Sequence, residues 1–313
     1  MSNDGPIRIG IVGAGQIARV QHIPALGDCA DFRLTAIANP LPVPVPDGVA
    51  LFPSLDAMIE AGLVDAVALC TPPQVRYALA RTALDAGLHV LLEKPPSQTV
   101  SEVVDLAGRA AAQGRTLFTA WHSMFSAATV PARRILAERG ATAMRIVWQE
   151  DVEKFHPGVD WFWQPGGMGV FDPGINALSI AVASLPEPLF VRAATFQVPD
   201  GAHTPVAATL TLATPTQEAD FTASFDWDHK GAETWSITWS LGDGGTLELQ
   251  HGGRMLVLDG RTILDAADNE YRALYRHFAA LIADGRSDAE TRPLQLAADA
   301  FSLARIERIL AFR

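Results

Sequence analysis

Ile7-Arg8-Ile9-Gly10-Ile11-Val12 runs without a break into Gly13-Ala14-Gly15-Gln16-Ile17-Ala18. The first six residues are mostly apolar, as in a strand buried on both faces of a parallel sheet. The next six have the form G-x-G-x-x-A at a strand-to-helix turn. Gly13 permits the tight turn, Gly15 lets a pyrophosphate approach the backbone, and small Ala18 lets the helix pack close to the strand. A helix N-terminus at this point favours phosphate charge. Alone the motif is weak, because glycine turns are common. Its weight comes from its place at the head of a longer succession of strands and helices.

Downstream, short β-branched runs alternate with helical stretches. Strands are expected over 32–38, 65–70, 89–92 and 116–120, and helices over 16–26, 74–86 and 100–113. Thr99 and Glu102 form a capping box for the last of these helices. The proline-rich segment 40–46 can continue neither a helix nor a central strand, so it is loop. This succession is that of a parallel sheet with crossover helices. After Trp121 the rhythm changes. A helix over 127–138 and a strand over 144–148 lead into an aromatic- and glycine-rich loop that runs to Gly169. A helix over 174–184 follows, then period-two runs at 206–212, 221–227, 235–239, 246–249 and 255–258. Such runs joined by short turns point to an antiparallel sheet. Helices over 270–283 and 294–312 close the chain, the last expected to pack back on the first domain. The expected fold is an α/β Rossmann domain over 1–122, followed by an α+β domain over 123–313 with a large, mainly antiparallel sheet.

A chain of 313 residues with 49% hydrophobic content suits two globular domains. Its net charge of −11 offers no attractive field to nucleic acid or to anionic membranes, so neither is expected as a partner. No apolar run approaches the roughly 20 residues of a spanning helix. Residues 1–6 are polar and lack the pattern of a secretory signal. Cys29 and Cys70 are the two cysteines and form no C-x-x-C pair, so neither a structural metal nor a disulfide framework is expected. A cytoplasmic enzyme is the expectation.

Three segments carry the chemistry. The second strand ends at Asn39-Pro40, where an NAD-binding chain commonly places a carboxylate on the ribose and an NADP-binding one an arginine. Asn39 supplies neither and reads equally as a turn residue. The cofactor is therefore NAD or NADP, with NAD mildly favoured. Glu93-Lys94-Pro95-Pro96 follows the fourth strand at its carboxyl end, where ligands of such sheets bind. The third segment is Gly166-Gly167-Met168-Gly169-Val170-Phe171-Asp172-Pro173-Gly174-Ile175-Asn176. Asp172 before Pro173 suits a helix N-cap as well as a reacting carboxylate. Asn176, one turn later, shares its face. His22 and His89 sit inside expected elements and read as structural.

An E-K-P after a buried strand, downstream of G-x-G-x-x-A, resembles the glucose–fructose oxidoreductase/inositol dehydrogenase family. The glycine-rich segment resembles that family's second motif, G-G-x-x-x-D-x-G-x-H, with Asn176 where histidine is usual. Glu150-Asp151, His156-Pro157-Gly158, Trp161-x-Trp163-x-Pro165-Gly166-Gly167 and Phe171-Asp172-Pro173-Gly174-Ile175-Asn176 are similar to its aldose 1-dehydrogenase branch. Trp121-His122 and the helix opening at Arg292-Pro293-Leu294 extend the likeness over the whole chain. Phe155 stands where such relatives carry tryptophan. The resemblance implies Lys94, Asp172 and Asn176 as catalytic. It implies Gly13, Gly15, Gln16, Ile17, Asn39, Cys70, Thr71, Pro72, Glu93, Lys94 and His122 on the cofactor. It implies Lys94, His122, Glu150, His156, Trp163, Asp172, Asn176 and Trp235 on a sugar substrate. The two tryptophans would stack on the apolar sugar face, with core packing the alternative for each. The reaction so implied oxidises C1 of a neutral aldopyranose, of the L-arabinose, D-galactose or D-fucose type, to its lactone. Ring-hydroxyl oxidation, as in inositol dehydrogenases, and dinucleotide sensing without turnover are the other readings. A homo-oligomer is expected, a dimer built on a half-exposed sheet.

Overall fold

The computed structural model describes residues 5–216 and 221–311, so the polar start of the chain and Phe312 lie outside the described residues. The chain forms two compact units: Met1–His122 with Glu270–Thr291, and Ser123–Asn269 with Arg292–Arg313.

The first unit is built on six strands, β1 (Ile7–Val12), β2 (Phe32–Ala38), β3 (Ala50–Phe52), β4 (Ala66–Leu69), β5 (His89–Glu93) and β6 (Leu117–Ala120). Every neighbouring pair is parallel, in the order β3-β2-β1-β4-β5-β6. The chain reverses its direction of travel across the sheet between β1 and β4, which opens a ligand crevice at their carboxyl ends. Strand β3 is absent from the sequence expectation, because three residues are too few to show a period. The helices are α1 (Ile23–Gly27), α2 (Leu55–Glu60), α3 (Pro73–Asp85) and α4 (Val100–Ala112). The Thr99–Glu102 capping box at the start of α4 is formed. Ahead of α1 the helix that begins after the glycine turn widens into a π-turn over Ala18–His22. Pro24 supplies the reason: it has no N–H for the Val20 carbonyl, and its ring presses on that carbonyl in a regular helix.

The second unit holds β7 (Ala141–Gln149), β8 (Phe190–Pro199), β9 (Ala207–Ala213), β10 (Phe221–Asp226), β11 (Thr234–Leu241), β12 (Thr246–Gln250), β13 (Met255–Leu258) and β14 (Arg261–Asp265). They lie in the order β14-β13-β12-β11-β7-β10-β9-β8, antiparallel except where β10 meets β7. Its helices are α5 (Thr129–Arg139), the single turn α6 (Val152–Phe155) and α7 (Phe171–Ser184). In α7 every residue but Asn176 and Ala183 is buried. The sheet runs past it closely: a Cβ on Gly174 would lie 3.0 Å from the Phe225 ring, which explains glycine there. Alternate residues divide the strands cleanly. Met144, Ile146, Phe221, Phe225, Ile237 and Trp239 are buried on one face, whereas Thr209, Thr211 and Thr222 are exposed on the other.

Two helices and a strand close the chain. Helix α8 (Glu270–Ala283) belongs to the first unit; Phe278 stacks on Phe32 of β2 with ring centroids 5.6 Å apart. Helix α9 (Arg292–Leu303) belongs to the second. The helix expected over 294–312 stops there, and β15 (Ala304–Ile309) pairs parallel with β8 to complete a nine-stranded sheet. Ile306 and Ile309, three apart, imitate a helix face. The open edge of β8, with its unpaired backbone groups, takes the segment as a strand instead.

Candidate active site

In the first unit the nucleotide motif forms a tight turn at the head of β1. Gly13 has φ +91°, and a Cβ on it would meet Thr71 Cγ2 at 3.0 Å and the Cys70 carbonyl carbon at 3.1 Å. Glycine is the only residue that fits both constraints. A Cβ on Gly15 would meet nothing within 4 Å, which leaves room for a pyrophosphate against the backbone. Gln16 and Ile17 begin the helix directly after it. Asn39 braces this turn. Its Oδ1 accepts from Ala14 N at 3.0 Å and its Nδ2 donates to the Leu41 carbonyl at 2.8 Å. Cys70, Thr71 and Pro72 lie beside the turn, at the carboxyl end of β4. These residues fit a dinucleotide: a glycine cradle, a helix N-terminus and a strand-order reversal coincide.

Strand β5 delivers Glu93, and Lys94 follows it, half-buried. The Glu93 side chain points into a closed polar cluster. Its Oε1 accepts from the Tyr271 hydroxyl and lies 3.2 Å from His22 Nε2, while His22 Nδ1 is 2.7 Å from the Tyr275 hydroxyl. All four residues are buried. Burial works against the Glu93 charge, but His22 and the Tyr271 hydrogen bond outweigh it and hold the carboxyl at about 2. Burial likewise opposes the charge on His22, and its polar neighbours Cys70, Tyr275 and Glu93 raise it well above the usual imidazole value. His122 Nδ1 sits 2.5 Å from Glu270 Oε2, its ring stacked 5.2 Å from that of Tyr271. Arg76, buried on α3, donates to the backbone carbonyls of Thr71, Glu93 and Pro95.

In the second unit β7 delivers Glu150, which is 6% exposed. Its Oε1 accepts from Trp227 Nε1 at 3.1 Å and its Oε2 from Trp235 Nε1 at 2.8 Å. Trp235 also stacks on Trp148, with centroids 6.1 Å apart. The His156 ring stands edge-on to Phe162 at 5.0 Å and to Trp227 at 5.7 Å, and its Nε2 is 4.0 Å from Asp172 Oδ2. Trp163 is buried 5.6 Å from the Trp227 ring. Helix α7 begins at Phe171, so Asp172 sits inside its first turn rather than capping it. Asn176 is half-buried one turn further on. Glu150, His156 and Trp163 thus meet Trp227, with Trp235 bonded to Glu150 and Asp172 near His156.

Sequence reasoning passes over Arg76, Trp227, Tyr271 and Tyr275. Trp227 ends a period-two run and reads as core. Tyr271 and Tyr275 are four apart on one face of a helix, a legible pair whose partners are not local. Among the described residues no cluster of His, Cys, Asp and Glu is fit to hold a metal ion, and no helix is long and apolar enough to cross a membrane.

A glycine cradle at the switch point of a six-stranded parallel sheet, with a separate sheet unit carrying fixed polar groups, defines a dinucleotide-dependent oxidoreductase. The chain belongs to the Gfo/Idh/MocA oxidoreductase family with an NAD-binding Rossmann fold, whose pattern matches residues 7–121. It is 44% identical to galactose 1-dehydrogenase of Pseudomonas fluorescens over 98% of this chain and 99% of that one. The crystal structure of D-galactose-1-dehydrogenase protein from Rhizobium etli superposes with a TM-score of 0.94 at 41% identity, covering 100% of both chains. A 3-ketoreductase from Actinomadura kijaniata, 20% identical with a TM-score of 0.81 over 97% of this chain and 100% of that one, shares the fold.

Proposed function

We propose that the protein oxidises C1 of a neutral aldopyranose of the D-galactose, L-arabinose or D-fucose type to the aldonolactone. The observation that carries this reading is Glu150, a buried carboxylate fixed by two indole N–H groups, one of them from Trp227, whose ring also meets that of His156. Acceptors and an imidazole set among aromatic rings are the chemistry that recognises sugar hydroxyls and an apolar pyranose face. The full-length likeness to galactose 1-dehydrogenases supports it.

The bound nicotinamide supplies the hydride acceptor. Lys94 and Asp172 are the acid/base groups that remove the proton of the anomeric hydroxyl as the C1–H bond breaks with its electron pair, so the C1–O bond becomes the lactone carbonyl. Asn176 orients that hydroxyl. His122 belongs with the cofactor-side groups, and Glu150, His156 and Trp235 hold the remaining hydroxyls and the ring. Both cofactors fit the glycine cradle, and NAD is used at least as well as NADP. The exposed threonine-rich face of the nine-stranded sheet is where two copies pair as a homodimer, a point that solution mass measurement checks. The free thiols Cys29 and Cys70 suit the reducing cytoplasm.

The test is a panel of aldoses, inositols and sugar phosphates with NAD and with NADP, followed by product identification. A lactone that hydrolyses to the aldonic acid is expected. Activity only on inositols, or a keto-sugar product, overturns the reading.

A further inference from the structure

Helix α3 buries Pro73, Ala80, Ala83 and Leu84 against its surroundings, and with them one charged residue, Arg76, which is 3% exposed. A guanidinium is costly to desolvate, and it is tolerated only where hydrogen bonds replace the lost water. Arg76 meets that demand with backbone. Nη1 donates to the carbonyls of Glu93 and Pro95, and Nη2 to that of Thr71. Two of these carbonyls belong to the residues on either side of Lys94. The third belongs to the turn that packs against Gly13. The Glu93 side chain is held independently by Tyr271 and His22. Lys94 therefore projects from a backbone fixed before and after it.

We propose that Arg76 is a positioning residue for Lys94: its guanidinium fixes the backbone on both sides of the lysine and keeps that segment in register with the Gly13 turn. This rests on the acid/base reading of Lys94 given above. An arginine is needed because two nitrogens of one rigid plane must reach diverging carbonyls, which the single nitrogen of lysine does not do. The effect on rate follows from geometry, since displacement of a reacting group by about 1 Å can cost on the order of a hundredfold.

The test is a double-mutant cycle on the full-length enzyme, with kcat, both KM values and the melting temperature measured for each protein. Arg76→Met is expected to lower kcat about tenfold or more, with a smaller change in sugar KM. In a Lys94→Ala background the same substitution should change kcat by less than about twofold, because the group it positions is gone. Arg76→Lys should recover part of the loss, and it carries the cycle if Arg76→Met does not fold. An equal fold-loss in both backgrounds overturns the proposal and makes Arg76 a general brace. Normal kcat in Arg76→Met overturns it as well. Normal kcat in Lys94→Ala alone brings down the acid/base reading, and this proposal with it, a failure visible without any change at Arg76.

Discussion

Trp235 donates its indole N–H to Oε2 of Glu150 at 2.8 Å, joining two positions 85 residues apart in sequence. Trp227 donates to the other oxygen of the same carboxylate. Glu150 is therefore held in one orientation, and an ionised carboxylate oxygen can accept more than one donor at a time.

Trp235→Phe should keep the ring stacked on Trp148 and remove the donor. A hydrogen bond to a charged group contributes about 1.5–3 kcal/mol, and that much loss of order at Glu150 raises sugar KM roughly tenfold to a hundredfold. Cofactor KM should not move. Steady-state kinetics with each substrate varied in turn decides it, and an unchanged sugar KM removes Glu150 from the sugar site.

Lys94→Ala should reduce kcat by at least about a hundredfold, the lower range for a positioned acid/base group. The residue is half-buried after the end of β5, so the thermal transition should stay where it is. Near-normal turnover would return Lys94 to a structural role.

Cofactor choice is open to a single exposed position. Pro40 is exposed beside Asn39, whose amide is committed to Ala14 and Leu41. Pro40→Arg adds a guanidinium able to grip a 2′-phosphate through two hydrogen bonds without disturbing that brace. The ratio of kcat/KM for NADP over NAD should rise about tenfold or more, equivalent to one modest interaction. In the unmodified enzyme, a clear preference for NADP would contradict the reading of Asn39.

The Glu93–His22 pair predicts how stability varies with pH. Glu93 titrates at about 2 in the fold against an ordinary 4.5. Its contribution is complete above 4.5 and is lost as pH falls toward 2. His22 is raised above its ordinary 6.5. Its contribution is complete below 6.5 and is lost as pH rises through the folded value. The difference in melting temperature between the wild type and Glu93→Gln should therefore be largest between these two ordinary values and shrink on acidification. Melting curves across the acid range test it, and a constant difference would show that Glu93 is not ionised in the fold.

The parallel sheet is legible in the sequence because its signals are local. A glycine turn, a capping box and apolar runs each lie within a few residues of the structure they specify. The period-two strands of the second unit are legible for the same reason. Strand β8 escapes such reading because Arg192 and Pro199 interrupt its alternation. Strand β15 escapes it because only the edge of β8 decides its form. The candidate site divides in the same way. Gly13, Lys94 and Asp172 stand in motifs. Arg76 and Trp227 take their meaning from atoms brought near by folding, and no spacing announces them. The alternation also shows one sheet face open, but not that the segment 270–291 returns to the first unit.

That return bears on the birth of the protein. Tyr271 and Tyr275 cover His22 and Glu93, yet they leave the ribosome long after the strands that hold those two groups. At about 5–20 residues per second, translation takes on the order of ten seconds to travel from the end of β6 to Tyr275. Throughout that interval the nascent first unit carries an imidazole and a carboxylate that water must solvate in place of the tyrosines. The amino-terminal stretch that looks self-sufficient on paper is thus a vessel without its lid until the helix Glu270–Ala283 has been made.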